Sequence, residues 1–102
     1  MENKTSDYKL TIVIPVYNEE GNMLRLEEVL SAFVQHAKVK TCVLFVNDGS
    51  KDASGKGIRE ICARQSDFFY LEFARNCGLS GAMKAGIDYT YSEYVGYMDA
   101  DL

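Results

Sequence analysis

Four short apolar runs, each separated from the next by a stretch with helical spacing, constrain the fold of this chain more than any other feature. Leu10 to Val16 (Leu-Thr-Ile-Val-Ile-Pro-Val) is rich in β-branched residues and almost continuously apolar, as a strand covered on both faces is. Pro15 has no N–H to give to a ladder and marks the end of that strand. Cys42 to Val46, Phe69 to Phe73 and Tyr94 to Asp99 read as the second, third and fourth strands. Over residues 21–37, Met23, Leu26, Val29, Leu30, Phe33, Val34 and Ala37 recur at steps of three and four, the pattern of an amphipathic helix. Ala53, Gly57, Ile58, Ile61 and Cys62 form a second helical stripe reaching Gln65, and residues 80–91 a third helix. Strands and helices alternating through short connections predict an α/β fold, a Rossmann-like parallel sheet with right-handed crossovers. In the third helix Gly81, Ala82, Ala85 and Gly86 would let the backbone approach the sheet or a ligand closely.

At 102 residues the chain holds one domain at most, small for an α/β enzyme, so it reads as part of something larger. We read residues 1–9 as a polar N-terminal tail and 10–102 as the domain. A formal net charge of −4 argues against a general nucleic-acid or anionic-membrane surface. Cys42, Cys62 and Cys77 are odd in number and lack metal-type spacing, so they read as reduced thiols in a cytoplasmic setting. The tail lacks the apolar stretch of a signal peptide, and no segment approaches the roughly 20 apolar residues of a membrane span.

Function points to one edge. Parallel strands direct their carboxyl ends the same way, and ligands of open α/β sheets collect there. Each strand here finishes in polar residues: Tyr17-Asn18-Glu19, then Asn47-Asp48, then Arg75-Asn76, then Asp99 and Asp101. Two carboxylates at i and i+2 of an extended backbone share a side, roughly 6–7 Å apart. A divalent cation between them relieves their repulsion, while a solvated strand end is the plainer alternative. The chemistry available is recognition of a nucleotide diphosphate. Acidic groups accept from base N–H groups and ribose hydroxyls, Tyr17 offers a ring, and Arg75 a fork for an oxygen. The diphosphate then needs a metal held by Asp101 and the helix N-terminus after Gly78. No Gly-x-Gly-x-x-Gly follows the first strand and no P-loop occurs, which removes the main support for dinucleotide binding. His36 reads as a complement to the dipole at a helix C-terminus, and Lys84 as an exposed helix lysine.

Four ordered blocks resemble the nucleotide-binding half of family 2 glycosyltransferases with the GT-A fold. They are Leu10-Thr-Ile-Val-Ile-Pro-Val-Tyr-Asn-Glu-Glu20, Val46-Asn-Asp-Gly-Ser-Lys-Asp52, Arg75-Asn-Cys-Gly-Leu-Ser-Gly-Ala-Met-Lys-Ala-Gly86 and Met98-Asp-Ala-Asp-Leu102. The third and fourth look most like those of the dolichol- or polyprenyl-phosphate sugar transferases, although Cys77 and Leu79-Ser80 depart from the usual pattern there. The resemblance implies that Pro15, Tyr17, Glu19 and Asp48 line a base and ribose pocket with Val46 packing beside the base. It also implies that Asp99 and Ala100 lie along the ribose and diphosphate, that Asp101 ligates Mg²⁺ or Mn²⁺, and that Arg75 supports the nucleotide.

The expected activity is metal-assisted transfer of a sugar, with inversion, from a UDP- or GDP-sugar to a polyprenyl phosphate. A saccharide hydroxyl is the alternative acceptor, and a nucleotide-binding module without turnover the alternative for this stretch alone. The acceptor half, with any catalytic base, would lie beyond Leu102, as would membrane-associating segments that place the whole protein at the cytoplasmic face of a membrane. An exposed sheet edge after Met98 would invite association into a homo-oligomer. A signalling receiver domain fails on its phosphorylated Asp, because the third strand ends in Phe73-Ala74-Arg75.

Overall fold

The computed structural model describes residues 3–101. Its strands are β1 (Leu10–Val16), β2 (Thr41–Asn47), β3 (Phe68–Glu72) and β4 (Tyr94–Tyr97), and its helices α1 (Met23–His36), α2 (Ser54–Arg64) and α3 (Leu79–Tyr89). All strand pairs are parallel, in the order β3-β2-β1-β4. The α/β expectation therefore holds, with boundaries moved by a residue or two. The first helix starts later than its apolar pattern, because Glu20–Asn22 form a 3-10 turn before α1 begins.

Alternation along the two central strands divides the core into two layers. Ile12, Ile14, Val16, Val43 and Phe45 face α1 and α2, where they meet Met23, Leu26, Leu30, Ile58 and Ile61. Val13, Leu44 and Val46 face α3 through Ala82. Gly86 is what allows that second contact, since a Cβ there would lie 2.5 Å from Val13 Cγ1. The small residues of α3 thus serve its approach to the sheet. The buried stripe on α1 is narrower than its apolar pattern, as Val29 and Phe33 stay partly exposed.

The chain walks outward from β1 to β2 to β3 and then returns to pair β4 on the other side of β1. Right-handed crossovers require the helix to change faces when the direction reverses, and α3 does so. A crevice opens between the carboxyl ends of β1 and β4 at such a reversal. Pro15 enlarges it. The Met98 N–H donates to the Val13 carbonyl at 3.2 Å, and the next bond of a parallel ladder would need an N–H from residue 15. None exists, so β4 ends at Tyr97 rather than at the expected Asp99, and the chain bends at Ala100. On its other side β1 stays paired with β2 through Val16 and Asn47.

The polar stretch ahead of β1 is folded against the amino ends of the strands. Lys4–Asp7 form a 3-10 turn capped by Asn3, whose side chain accepts from the Thr5 N–H at 3.0 Å. Thr5 is buried, and its hydroxyl accepts from the Tyr91 N–H at 3.0 Å. The three cysteines are free. No helix among the described residues is long and apolar enough to cross a membrane.

Candidate functional site

The connection after β1 turns sharply at Asn18, whose φ of 53° lies in the left-handed region that Asn tolerates better than most residues. It is stitched to the connection after β2. The Asn18 N–H donates to Ser50 Oγ at 3.0 Å, and the Lys51 N–H donates back to Asn18 Oδ1 at 2.8 Å. The Glu19 N–H donates to Ser54 Oγ at 2.7 Å, while the Glu19 carboxylate accepts from Asn22 Nδ2 at 2.9 Å. Asp52 accepts from the Glu20 and Ser54 N–H groups at 3.3 and 2.9 Å. Burial pushes its carboxyl pKa up, but the hydrogen bonds from Ser54 and Glu20 outweigh that and leave it lowered. These contacts fix where Tyr17 and Glu19 stand.

Asp48 ties three connections together. Its N–H donates to the Val16 carbonyl at 2.8 Å, and its carboxylate accepts from the Cys77 N–H at 2.6 Å and from Asn76 Nδ2 at 3.0 Å. The residue is 3% exposed. On the fourth connection Ala100 packs into the α1/α2 layer while Asp99 and Asp101 on either side of it stay exposed. The Tyr97 hydroxyl donates to Asp99 Oδ1, and that bond pushes the phenol's pKa up.

Together these segments surround an open hollow of about 270 Å³, lined by Pro15, Tyr17, Glu19, Asp48, Asn76, Gly78, Asp99, Ala100 and Asp101 along with Val16 and Leu79. Seven of the nine residues singled out from sequence are brought together there. Two are not. Val46 is fully buried under α3, and the exposed Arg75 lies outside the lining. From the connection after β3 the hollow instead receives Asn76, Gly78 and Leu79. Gly78, at φ 89°, leads into α3 with no side-chain cap, so the first N–H groups of that helix are open to a ligand.

The lining carries four carboxylates, Glu19, Asp48, Asp99 and Asp101, and neither lysine nor arginine. No group of three or more His, Cys, Asp or Glu side chains among the described residues is arranged to hold a metal by itself. That donor set suits a cation such as Mg²⁺, which binds through one or two carboxylates and completes its shell with phosphate oxygens and water. Asp101 and Asp99 are the residues that would hold it. His36 and Lys84 lie elsewhere, exposed, with Lys84 donating to Asp88 at 2.8 Å one helical turn on.

The model of glycosyl transferase family 2 matches residues 11–102. The chain belongs to that family. It is 36% identical over 93 residues to the putative glycosyltransferase CsbB of Bacillus subtilis, covering 91% of this chain and 28% of that protein. It is 33% identical over 94 residues to the bactoprenol glucosyl transferase of Shigella phage SfX, covering 92% of this chain and 31% of that protein. The chain thus spans under a third of the length of these relatives. Two solved structures share the fold. The mannosyltransferase PcManGT of Pyrobaculum calidifontis, in complex with GDP-Man and Mn²⁺, superposes with a TM-score of 0.75 at 21% identity, over 92% of this chain and 28% of that one. TarS 1-349 of S. aureus, in complex with UDP-GlcNAc, superposes with a TM-score of 0.77 at 23% identity, over 91% and 26%. The parallel α/β architecture expected from the sequence for the N-terminal half of a GT-A fold is therefore the one observed.

Proposed function

We propose that this family 2 domain is the donor-binding part of a glycosyltransferase that moves a sugar from a UDP- or GDP-sugar to a polyprenyl phosphate. One observation carries the reading. A hollow at the topological switch point is lined by four carboxylates and no basic side chain, yet it opens onto the uncapped N-terminus of α3. An acidic cleft beside an anion-seeking helix end suits a diphosphate accompanied by a divalent cation and attached to a group rich in N–H and O–H donors. A nucleotide-sugar is such a molecule. The relative named bactoprenol glucosyl transferase supports the lipid-phosphate acceptor, and the neighbours in complex with GDP-Man and UDP-GlcNAc support the donor class.

In this reading Pro15, Tyr17, Glu19 and Asp48 hold the base and ribose. Asp99 and Ala100 follow the ribose and diphosphate, and Asp101 with Asp99 holds Mg²⁺ or Mn²⁺. When bound, the cation neutralises charge that develops on the departing diphosphate. The residues of this chain bind and orient the donor so that its anomeric carbon faces the acceptor. An acceptor phosphate oxygen forms the new bond to that carbon as the bond to the diphosphate breaks, with inversion, and the nucleoside diphosphate leaves with the electron pair. A phosphate acceptor is already ionised near neutral pH and needs no general base, whereas a saccharide hydroxyl would need one. Asp101→Ala in the full-length protein tests the reading. Turnover with polyprenyl phosphate and Mn²⁺ is expected to fall at least about a hundredfold. Unchanged metal-dependent turnover would refute Asp101 as the metal ligand, and transfer to a saccharide alone would refute the lipid acceptor.

A further inference from the structure

The connection after β3 enters the hollow mainly by gripping a residue of another connection. Cys77 N–H reaches Asp48 Oδ1 at 2.6 Å, and Asn76 Nδ2 reaches both Asp48 Oδ2 at 3.0 Å and the Asp48 carbonyl at 3.2 Å. Gly49 makes the grip possible. Its φ is 69°, and a Cβ there would lie 2.3 Å from the Arg75 carbonyl carbon, so the two connections touch backbone to backbone. Held by donors on each oxygen, the Asp48 carboxylate is fixed in one orientation. An ionised carboxylate accepts at about four positions, so lone pairs remain for a ligand, and it has no donor to offer.

We infer that Asn76 is a positioning residue for donor selection: by fixing Asp48 as an oriented acceptor, it makes the hollow prefer a base that presents a ring N–H. Uracil and guanine carry such a group, at N3 and N1, where cytosine has a lone pair. A lone pair set against a fixed carboxylate leaves two acceptors facing each other, and one lost charge-assisted hydrogen bond is enough to discriminate about tenfold or more. Asn76 touches no reacting atom and acts through Asp48. The inference rests on the donor-binding reading above.

Calorimetric titration of UDP, GDP and CDP with Mn²⁺ tests it, with inorganic pyrophosphate and Mn²⁺ as a probe that lacks a base. The unsubstituted protein is expected to bind UDP or GDP at least about tenfold tighter than CDP. Asn76→Ala, at an exposed position, should bring that ratio to within about threefold while pyrophosphate binding stays unchanged. Asn76→Leu keeps roughly the size and removes the donor without adding a charge, and it should collapse the ratio in the same way. Thermal unfolding of both variants establishes that they are folded. A ratio undiminished in both variants would overturn the inference, as would an equal loss for all four probes, which marks simple support of the loop. Equal binding of the three nucleotides by the unsubstituted protein would overturn it too. Failure of that protein to bind any nucleotide would bring down the donor-binding reading itself.

Discussion

The two ends of the sheet use polar side chains in opposite ways. At the amino ends of the strands the groups satisfy one another. Thr11 and Ser92 hydroxyls lie 2.6 Å apart, Ser92 donates on to the Thr5 carbonyl at 2.7 Å, and Asn3 donates to the Tyr89 carbonyl at 2.6 Å. The Tyr8 hydroxyl donates to Asp67 at 2.6 Å, and burial, together with that bond, pushes its pKa far up. At the carboxyl ends Asp48 is gripped on one side and faces the hollow on the other, while Tyr17 and Asp101 stand exposed. Closed polar networks hold a fold together, whereas convergent side chains left open beside a helix N-terminus await a ligand. The same sheet therefore keeps its closed polar networks at the amino ends of its strands and its open polar side chains at the carboxyl ends.

That separation breaks most forcefully at Gly49, where the open edge depends on backbone contact. Gly49→Ala forces a left-handed residue and a clash with Arg75, and should cost about 2–4 kcal/mol in urea unfolding while abolishing nucleotide binding. Asp101→Asn sharpens the contrast from the other direction. It removes one of several neighbouring negative charges, so Mn²⁺-dependent affinity for UDP or GDP should fall about tenfold or more in calorimetry with no loss of stability. At the closed edge Ser92→Ala should lower stability by about 1 kcal/mol and leave nucleotide affinity unchanged.

The smallest effect lies outside both edges, where the Arg64 hydrogen bonds hold the Glu27 carboxyl below the usual range against the opposing push of burial. A depressed folded-state pKa contributes stability above the unfolded value and loses it as pH falls through the folded one. Glu27→Gln should therefore cost under about 1 kcal/mol at pH 7, and its stability should converge with that of the unsubstituted protein in acid. Unfolding curves at several pH values check this.

Much of the fold was legible because apolar runs buried on both faces carry a simple signature. Leu10–Val16 was located to the residue, and the polar ends of successive strands pointed to one crevice. Elsewhere that signature is silent. β4 looked as apolar as the others, yet Tyr94, Val95 and Tyr97 are exposed on an edge, since a run cannot state whether anything covers it. Val46 and Asp48 lie two residues apart, but strand pairing buries the first under α3 while the second stands past the strand's end. Arg75 carries the charge, whereas the contacts of that connection with Asp48 come from the Cys77 backbone N–H and from Asn76. The turn at Lys4–Asp7 was invisible for another reason. Thr5 finds its partners at Tyr91 and Ser92, some 86 residues away, and no local pattern announces such a pairing.

The most direct test follows backbone amide shifts while UDP or GDP is titrated with Mn²⁺. The account predicts perturbations concentrated at Tyr17, Asp48, Gly78 and Asp101, which come from all four connections, with Thr11 and Ser92 unmoved. Shifts centred on the amino-end network, or none at all with saturating nucleotide and metal, would contradict it.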